Sequence, residues 1–598
     1  MTIIFALSIS LGLLLAHSLP AASAENLLPA STVAVFTVPD AQRLRAAMGD
    51  MPLAHLWRDE AMKAFSEKFS AGLRQHILDP LQKEAGFQLD EYLDLAQGQI
   101  TLAVTFTPAD AKMPGVVAIV DSGNKADALA AKLKHLRQTL TDRRVPFKSR
   151  TVRGIDFLYL TAPRNEQLGM FVGRSDSLLI AANNEAALDA VLLAQSGGAG
   201  KRLADLPAFQ RLRETQFRGA LALGWVDFST VLEKIQQVPN PFEREKENPN
   251  DAPRVTPDQV LTALGLKGLR TVSFSYKQDG GDWAEMRLDV PAKNRRGLFK
   301  MFAPEPADTT PPPFVGTETT SYMRWRINGR TLWSQLVETA LDIAPQVDGV
   351  IKLGESAAQT KDPKFRFKES LFDTLGTDVI RLQLAPRGET VEAQLSPPSV
   401  YFIESQKPNA TLTAINTLLS VAGLVPEMRD ADGKKIYTHK LPGLRGAREQ
   451  VLHLTTNGGY LVVATDLATL EALLRGAEDP ARKPLRDLPG LNEAVAKVGG
   501  YRTGWLGVEN DKATAQSLLE FLRKNPTFLD KLPVQASLKF TLLDRAGKGL
   551  PLDWLDFKLL PAFEKVEKYF SHTAYSVSAD EEGIRLRIFS PTPAALKK

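Results

Sequence analysis

The chain has 598 residues, 44% of them hydrophobic, and its 73 Lys and Arg nearly balance its 69 Asp and Glu, leaving a net charge of +4. Interspersed charges in that balance exclude the concentrated basic face of a specific nucleic-acid binder. The densest basic run, Arg143, Arg144, Lys148, Arg150 and Arg153, reads as a solvated strand edge. With no Cys, disulfides, thiolate metal sites and Cys nucleophiles are all excluded, so stability must come from hydrophobic cores, for which the length allows two or more domains.

Residues 1–24 read as an export signal. An apolar run from Ile3 to Ala16 is followed by Pro20 and the small residues Ala22-Ser23-Ala24. The run is short for a membrane span, although the absence of Lys and Arg ahead of it leaves an uncleaved anchor as the alternative. No later stretch is apolar enough to span a bilayer, which predicts a mature chain without a transmembrane helix in the periplasm or cell envelope.

Beyond the signal the sequence runs through similar material twice, in residues 25–302 and 318–598. VVAIVDSGNKADALAAKL at Val116 is echoed by VYFIESQKPNATLTAINTL at Val400, and Asp205-Leu206-Pro207 by Asp487-Leu488-Pro489. Gly224-Trp225 has a counterpart in Gly504-Trp505. A period of this length predicts a tandem pair of whole domains. Between them lies APEPADTTPPPFVGT, residues 303–317, whose prolines predict an extended linker.

Short alternating strands joined by Gly, Asn and Asp turns predict antiparallel sheets. Leu129, Leu133, Leu136 and Leu140, and again Leu412, Ile415 and Leu419, mark amphipathic helices. The predicted class is therefore α+β, a tandem duplication of an antiparallel-sheet domain with packed amphipathic helices. A strand followed by Asp or Asn and a helix recurs at Asp40, Asp227, Asn328 and Asn510-Asp511, where the polar side chain is expected to cap the helix. Two polar, Pro-bearing segments, one before Gln259 and one around Lys364, read as mobile loops.

Chemistry is sparse. The histidines after the signal (His55, His76, His135, His439, His453, His572) have no metal-ligand spacing, so no metal or cofactor is expected. Ser122 and Lys125 satisfy SxxK, with Ser175-Asp176-Ser177 further on, but the third element of that hydrolase pattern is missing and Ser405 has no Lys three residues later. A helix start explains the pattern better than catalysis. Gly-rich runs at Ser196 and Asp279 read as a helix end and a hairpin, and DADGKK at Asp430 as another hairpin. Asp227 and Glu509 follow the two Trp strands as caps before they are general acids. Trp225 and Trp505 are read as core aromatics at equivalent positions, with ligand stacking as the alternative. No catalytic residues are assigned.

The opening LLPASTVAVFTVPDAQRLRAAMGDMPLAHLWRDEAMKAFSEKF, with SLLIAANNEAALDAVL and LADLPAF, resembles a family of exported bacterial proteins classed as a domain of unknown function, common in Planctomycetes and Verrucomicrobia. The resemblance implies an envelope location and supplies no catalytic residues. The expectation is an exported, non-enzymatic binding or scaffold protein whose partner is an envelope protein, a glycan or an amphiphile. The alternatives are a periplasmic carrier of lipid or lipoprotein, and a hydrolase with an unrecognised Ser or carboxylate site.

Overall fold

The computed structural model describes residues 22–80, 82, 94–106, 113–162, 165–236, 255–388, 390–431, 433–442, 450–476, 483–527 and 553–597. The class is α+β, with antiparallel pairing wherever a strand register is defined. Two compact units form. The first contains the chain to Met51, Ala71–Val231 and Ser273–Gln278, and the second contains Pro52–Ser70, Leu232–Val272 and Asp279–Lys598.

In the first unit the strands are β1 (Thr32–Val38), β2 (Ile100–Thr105), β3 (Gly115–Asp121), β4 (Phe147–Val152), β5 (Ile155–Ala162), β6 (Asn165–Ser175), β7 (Leu178–Ala182), β8 (Ala222–Asp227) and the Ser273–Gln278 part of β9 (Thr271–Gln278). Their registers give the order β8-β1-β2-β3-β7-β6-β5-β4. Period-two alternation sorts the side chains. One cross-strand row, Trp225, Val35, Ala103, Val117, Ala182, Phe171 and Tyr159, lies entirely in the core. Helices Glu185–Gln195 and Pro207–Glu214 complete that core with Leu188, Val191, Phe209 and Leu212.

The second unit holds β10 (Gly281–Asp289), β11 (Thr319–Arg326), β12 (Leu375–Leu384), β13 (Ser399–Ser405), β14 (Glu427–Ala431), β15 (Lys434–Leu441), β16 (Gln450–Asn457), β17 (Tyr460–Ala464), β18 (Trp505–Glu509), β19 (Thr573–Ala579) and β20 (Ile584–Pro591). The order β18-β11-β12-β13-β17-β16-β15-β14 repeats that of the first unit, strand for strand. Beyond β18 the sheet runs on through β19, β20 and β10. The core row here is Val508, Tyr322, Leu382, Val400 and Ala464. On the other face, helix Pro408–Val421 lays Leu412 and Ile415 against Leu454, Leu461 and Val463.

All four expected caps are made. Asp40 accepts from the Arg43 N–H, Asp227 from Thr230, Asn328 from Arg330 and Thr331, and Asn510 from Ala513. Each side chain satisfies a donor left open by the first helical turn.

Three expectations need correction. The Pro-rich segment 303–317 lies inside the second unit, as an ordered strap. Thr309 donates N–H and hydroxyl to the Tyr501 carbonyl, its own carbonyl accepts from the Tyr322 hydroxyl, and Val315 is part of the core. Prolines suit this role because an extended strap needs few backbone donors. The segment around Lys364 is also anchored, because Phe365 is fully buried against Ala358 and Ala414. The segment expected to be mobile before Gln259 lies largely outside the described residues. Third, helices of the first sequence half belong to the second unit. Met62 and Phe65 form a cluster with Leu560, Phe563, Val566 and Tyr569, and Lys68 pairs with Asp556 at 3.0 Å. Tyr569 and Lys568 both donate to the Asp59 carboxylate, which holds its pKa down at about 2.

Candidate functional site

The sheet faces turned away from the two cores differ at the end near β8 and β18 and are each covered by a helix at the other. In the first unit the row beside the core row reads Gly224, Phe36, Leu102, Ala118, Ala181, Val172 and Leu158. A second row on the same face contains Val226, Ala34, Val104 and Val116. Helix Ala126–Asp142 lies toward the far end, where Ala130 and Leu133 share a groove with Leu158 and Val172. At the near end no helix among the described residues shields the strands comparably: Phe36 is 49%, Leu102 52% and Val116 37% exposed. Apolar side chains on adjacent strands form one open patch, and Met170 on β6 is exposed as well.

The corresponding row in the second unit is mixed. It reads Gly507, Met323, Arg381, Tyr401, Val463 and Leu454, with Tyr575 opposite Gly507, and its far end is covered by the helix Pro408–Val421. Gly507 has a steric reason to be glycine, since an added Cβ would fall 1.9 Å from the Tyr575 ring. Glu509 accepts from Ser321 at 2.8 Å and from the Tyr575 hydroxyl at 3.4 Å, and burial pushes its pKa up. Burial raises Asp511 too, although it accepts from the Thr573 hydroxyl at 2.7 Å. Tyr575 is pushed up to about 12 by burial and by the nearby Glu509 carboxylate. Two carboxyls with raised pKa are what an acid–base pair requires, but these are held by Ser, Tyr and Thr hydroxyls within the fold.

A cleft of about 570 Å³ in the first unit is lined by Asp40, Asp121, Gln97, Gln99, Phe209 and Arg213 among others. Its polar groups are committed internally. Asp121 accepts from the Gly123 N–H and the Ser177 hydroxyl, and Asp40 caps its helix. The SxxK pair is not assembled for catalysis. The Ser122 hydroxyl donates to the Ser177 carbonyl at 2.7 Å, while the Lys125 ammonium donates to the Asp94 carbonyl. A short helix does start at Gly123, and it is Asp121 that accepts from the Gly123 N–H. His439 is buried, with one ring nitrogen on the Leu424 carbonyl and the other on Asn416, and His453 contacts the Thr438 hydroxyl. Among the described residues no group of three or more His, Asp or Glu could hold a metal ion, and no helix is long and apolar enough to cross a membrane.

The two tryptophans occupy different sites. Trp225 is 2% exposed and meets Phe209 edge-on at 5.8 Å. Trp505 is half-buried and stacks on Trp325, which stacks in turn on Phe302. They are not equivalent positions. Trp225 stands two residues before the capping Asp227 and opposite Val35, whereas the residue two before the capping Asn510 is Val508, opposite Tyr322. The Gly-Trp echo is thus three residues out of register. The indole N–H of each of Trp225, Trp325 and Trp505 is enclosed without a partner among the described residues.

No family model matches the chain, and no curated protein matches it. A solved structure described as crystal form I of TP0453 is similar over 45% of this chain and 80% of its own, at 9% identity and a TM-score of 0.20, too slight a likeness to bear on the fold or the site.

Proposed function

We propose that this chain is a non-enzymatic binding or scaffold protein exported to the bacterial envelope, and that the open apolar sheet face of its first unit is where it holds its partner. One observation carries the reading: Phe36, Leu102 and Val116 stand exposed on adjacent strands of an ordered sheet whose other face is a filled core. A contiguous apolar patch on a folded surface is costly in water and marks an interaction site. An enclosed carrier cavity would place such residues around an interior, whereas here they line an open face. Against catalysis stand the internal commitments of Ser122, Lys125, Glu509 and Asp511. We read the strand order found twice as the outcome of a duplication after which Arg381 and Tyr401 stand on one outer face where Leu102 and Ala118 stand on the other.

The test is the double variant Phe36→Ser, Leu102→Ser, purified from envelope beside the parent. The parent should retain lipid or protein that the variant loses, with the denaturation midpoint unchanged, since both side chains are already exposed. Equal retention by both would overturn the reading.

A further inference from the structure

We propose that the export signal is cut upstream of Ala22, after Ala21 or after Ser18, and that Ala22-Ser23-Ala24 belongs to the folded protein. The inference rests on the export reading above, and it departs from the cut after Ala24 that the small-residue pattern alone suggests.

The reason lies in what these residues do. Ala24 is 1% exposed and opens the short helix Ala24–Leu27, where its carbonyl accepts from the Leu28 N–H at 3.0 Å. Ser23 precedes it, accepting from the Asn26 N–H through its carbonyl and from the Asn26 side chain through its hydroxyl, both at 2.8 Å. The Ala22 carbonyl accepts from the Gln99 side-chain amide at 2.9 Å, and Gln99 is only 5% exposed. Leu27 and Leu28, fully buried in the first core, tie the segment in place.

A cut after Ala24 would remove the acceptor of the buried Gln99 amide, the acceptor of the Leu28 N–H and a buried methyl together. Unpaired buried donors are strongly disfavoured. It would also create an ammonium at Glu25, at the start of what had been a helical turn, where positive charge is unfavourable. Upstream, Leu19 and Ala21, or Ala16 and Ser18, place a small residue directly before the scissile bond. A protease that reads small side chains there has an alternative that leaves the fold intact.

Intact-mass and N-terminal peptide analysis of the protein from fractionated producing cells tests this. A first residue of Leu19 or Ala22 in the envelope fraction supports the proposal. A chain beginning at Glu25 in that fraction overturns it while the export reading stands. A chain retaining Met1 in the cytosol overturns both. Independently of export, chains 22–598 and 25–598 made without the signal should differ in urea midpoint, the shorter being lower. Equal midpoints would overturn the structural argument.

Discussion

Asp378 receives the Arg324 guanidinium side-on, Nε at 2.9 Å and Nη2 at 2.7 Å, beneath the core face of the second unit. Arg326 adds a third contact at 3.0 Å and the Tyr460 hydroxyl a fourth at 3.0 Å. With the carboxylate 2% exposed, removing it takes the close counter-charge from Arg326 and leaves Arg324 only the longer 3.9 Å contact to Asp308. Asp378→Ala should cost about 3–5 kcal/mol, the range for breaking a buried pair from one side. Chemical denaturation measures it. A loss under about 1 kcal/mol would mean that water already screens the pair, as at the surface.

Trp225 and Trp505 should behave differently. Trp225→Ala removes a buried ring and should cost about 3–5 kcal/mol. Trp505→Ala removes a half-buried ring from a stack and should cost less, on the order of 1–2 kcal/mol. Equal losses would restore the equivalence that the Gly-Trp echo suggests. Local similarity could not detect the three-residue shift, because register is set by pairing with β1 and β11, far away in sequence.

Acidification should destabilise the protein as pH falls below about 6.5. Burial lowers the pKa of His439, His453 and His572 from the usual 6.5. Below that value the unfolded chain binds protons that the folded chain refuses, so stability falls with pH until the lowered folded values are reached. Glu509 and Asp511, raised by burial, act with the opposite sign: the folded chain takes up their protons first, above the usual 4.5 and 3.8. Their contribution is present in acid and lost as pH rises through their folded values. His572→Phe isolates one group, a ring that is 4% exposed. Its urea midpoint should fall less steeply than the parent's just below pH 6.5, and an unchanged slope would contradict the assignment.

A fragment beginning at residue 303 should fail to unfold cooperatively. It lacks Met62 and Phe65, which cover Phe563, Val566 and Tyr569, and it loses the Lys568–Asp59 pair. A circular-dichroism melt as sharp as that of the whole chain would show that the sequence half folds alone.

What the sequence disclosed was local. The caps at Asp40, Asp227, Asn328 and Asn510 were legible because a short polar side chain and its N–H donors lie within three residues of each other. The alternating strands and the Leu129 and Leu412 stripes were legible for the same reason. Membership of Pro52–Ser70 in the second unit was not, because nothing near Phe65 records a partner roughly five hundred residues away. The strap at 303–317 was misread because prolines look alike in a solvated linker and in a buried extended segment. The apolar face was hidden in plain view: Phe36 and Leu102 alternate with buried residues as any strand does, and only the sheet shows that their side is open.

The central claim is that this open face is the binding surface. A photo-crosslinking amino acid placed at Leu102, with a second chain carrying it at the more exposed Leu353 as a control in the other unit, tests it in native envelope. The account predicts a discrete adduct from position 102 that disappears when Phe36→Ser is added, and no such adduct from position 353. Adducts of equal yield from both positions, or none from position 102, would contradict it.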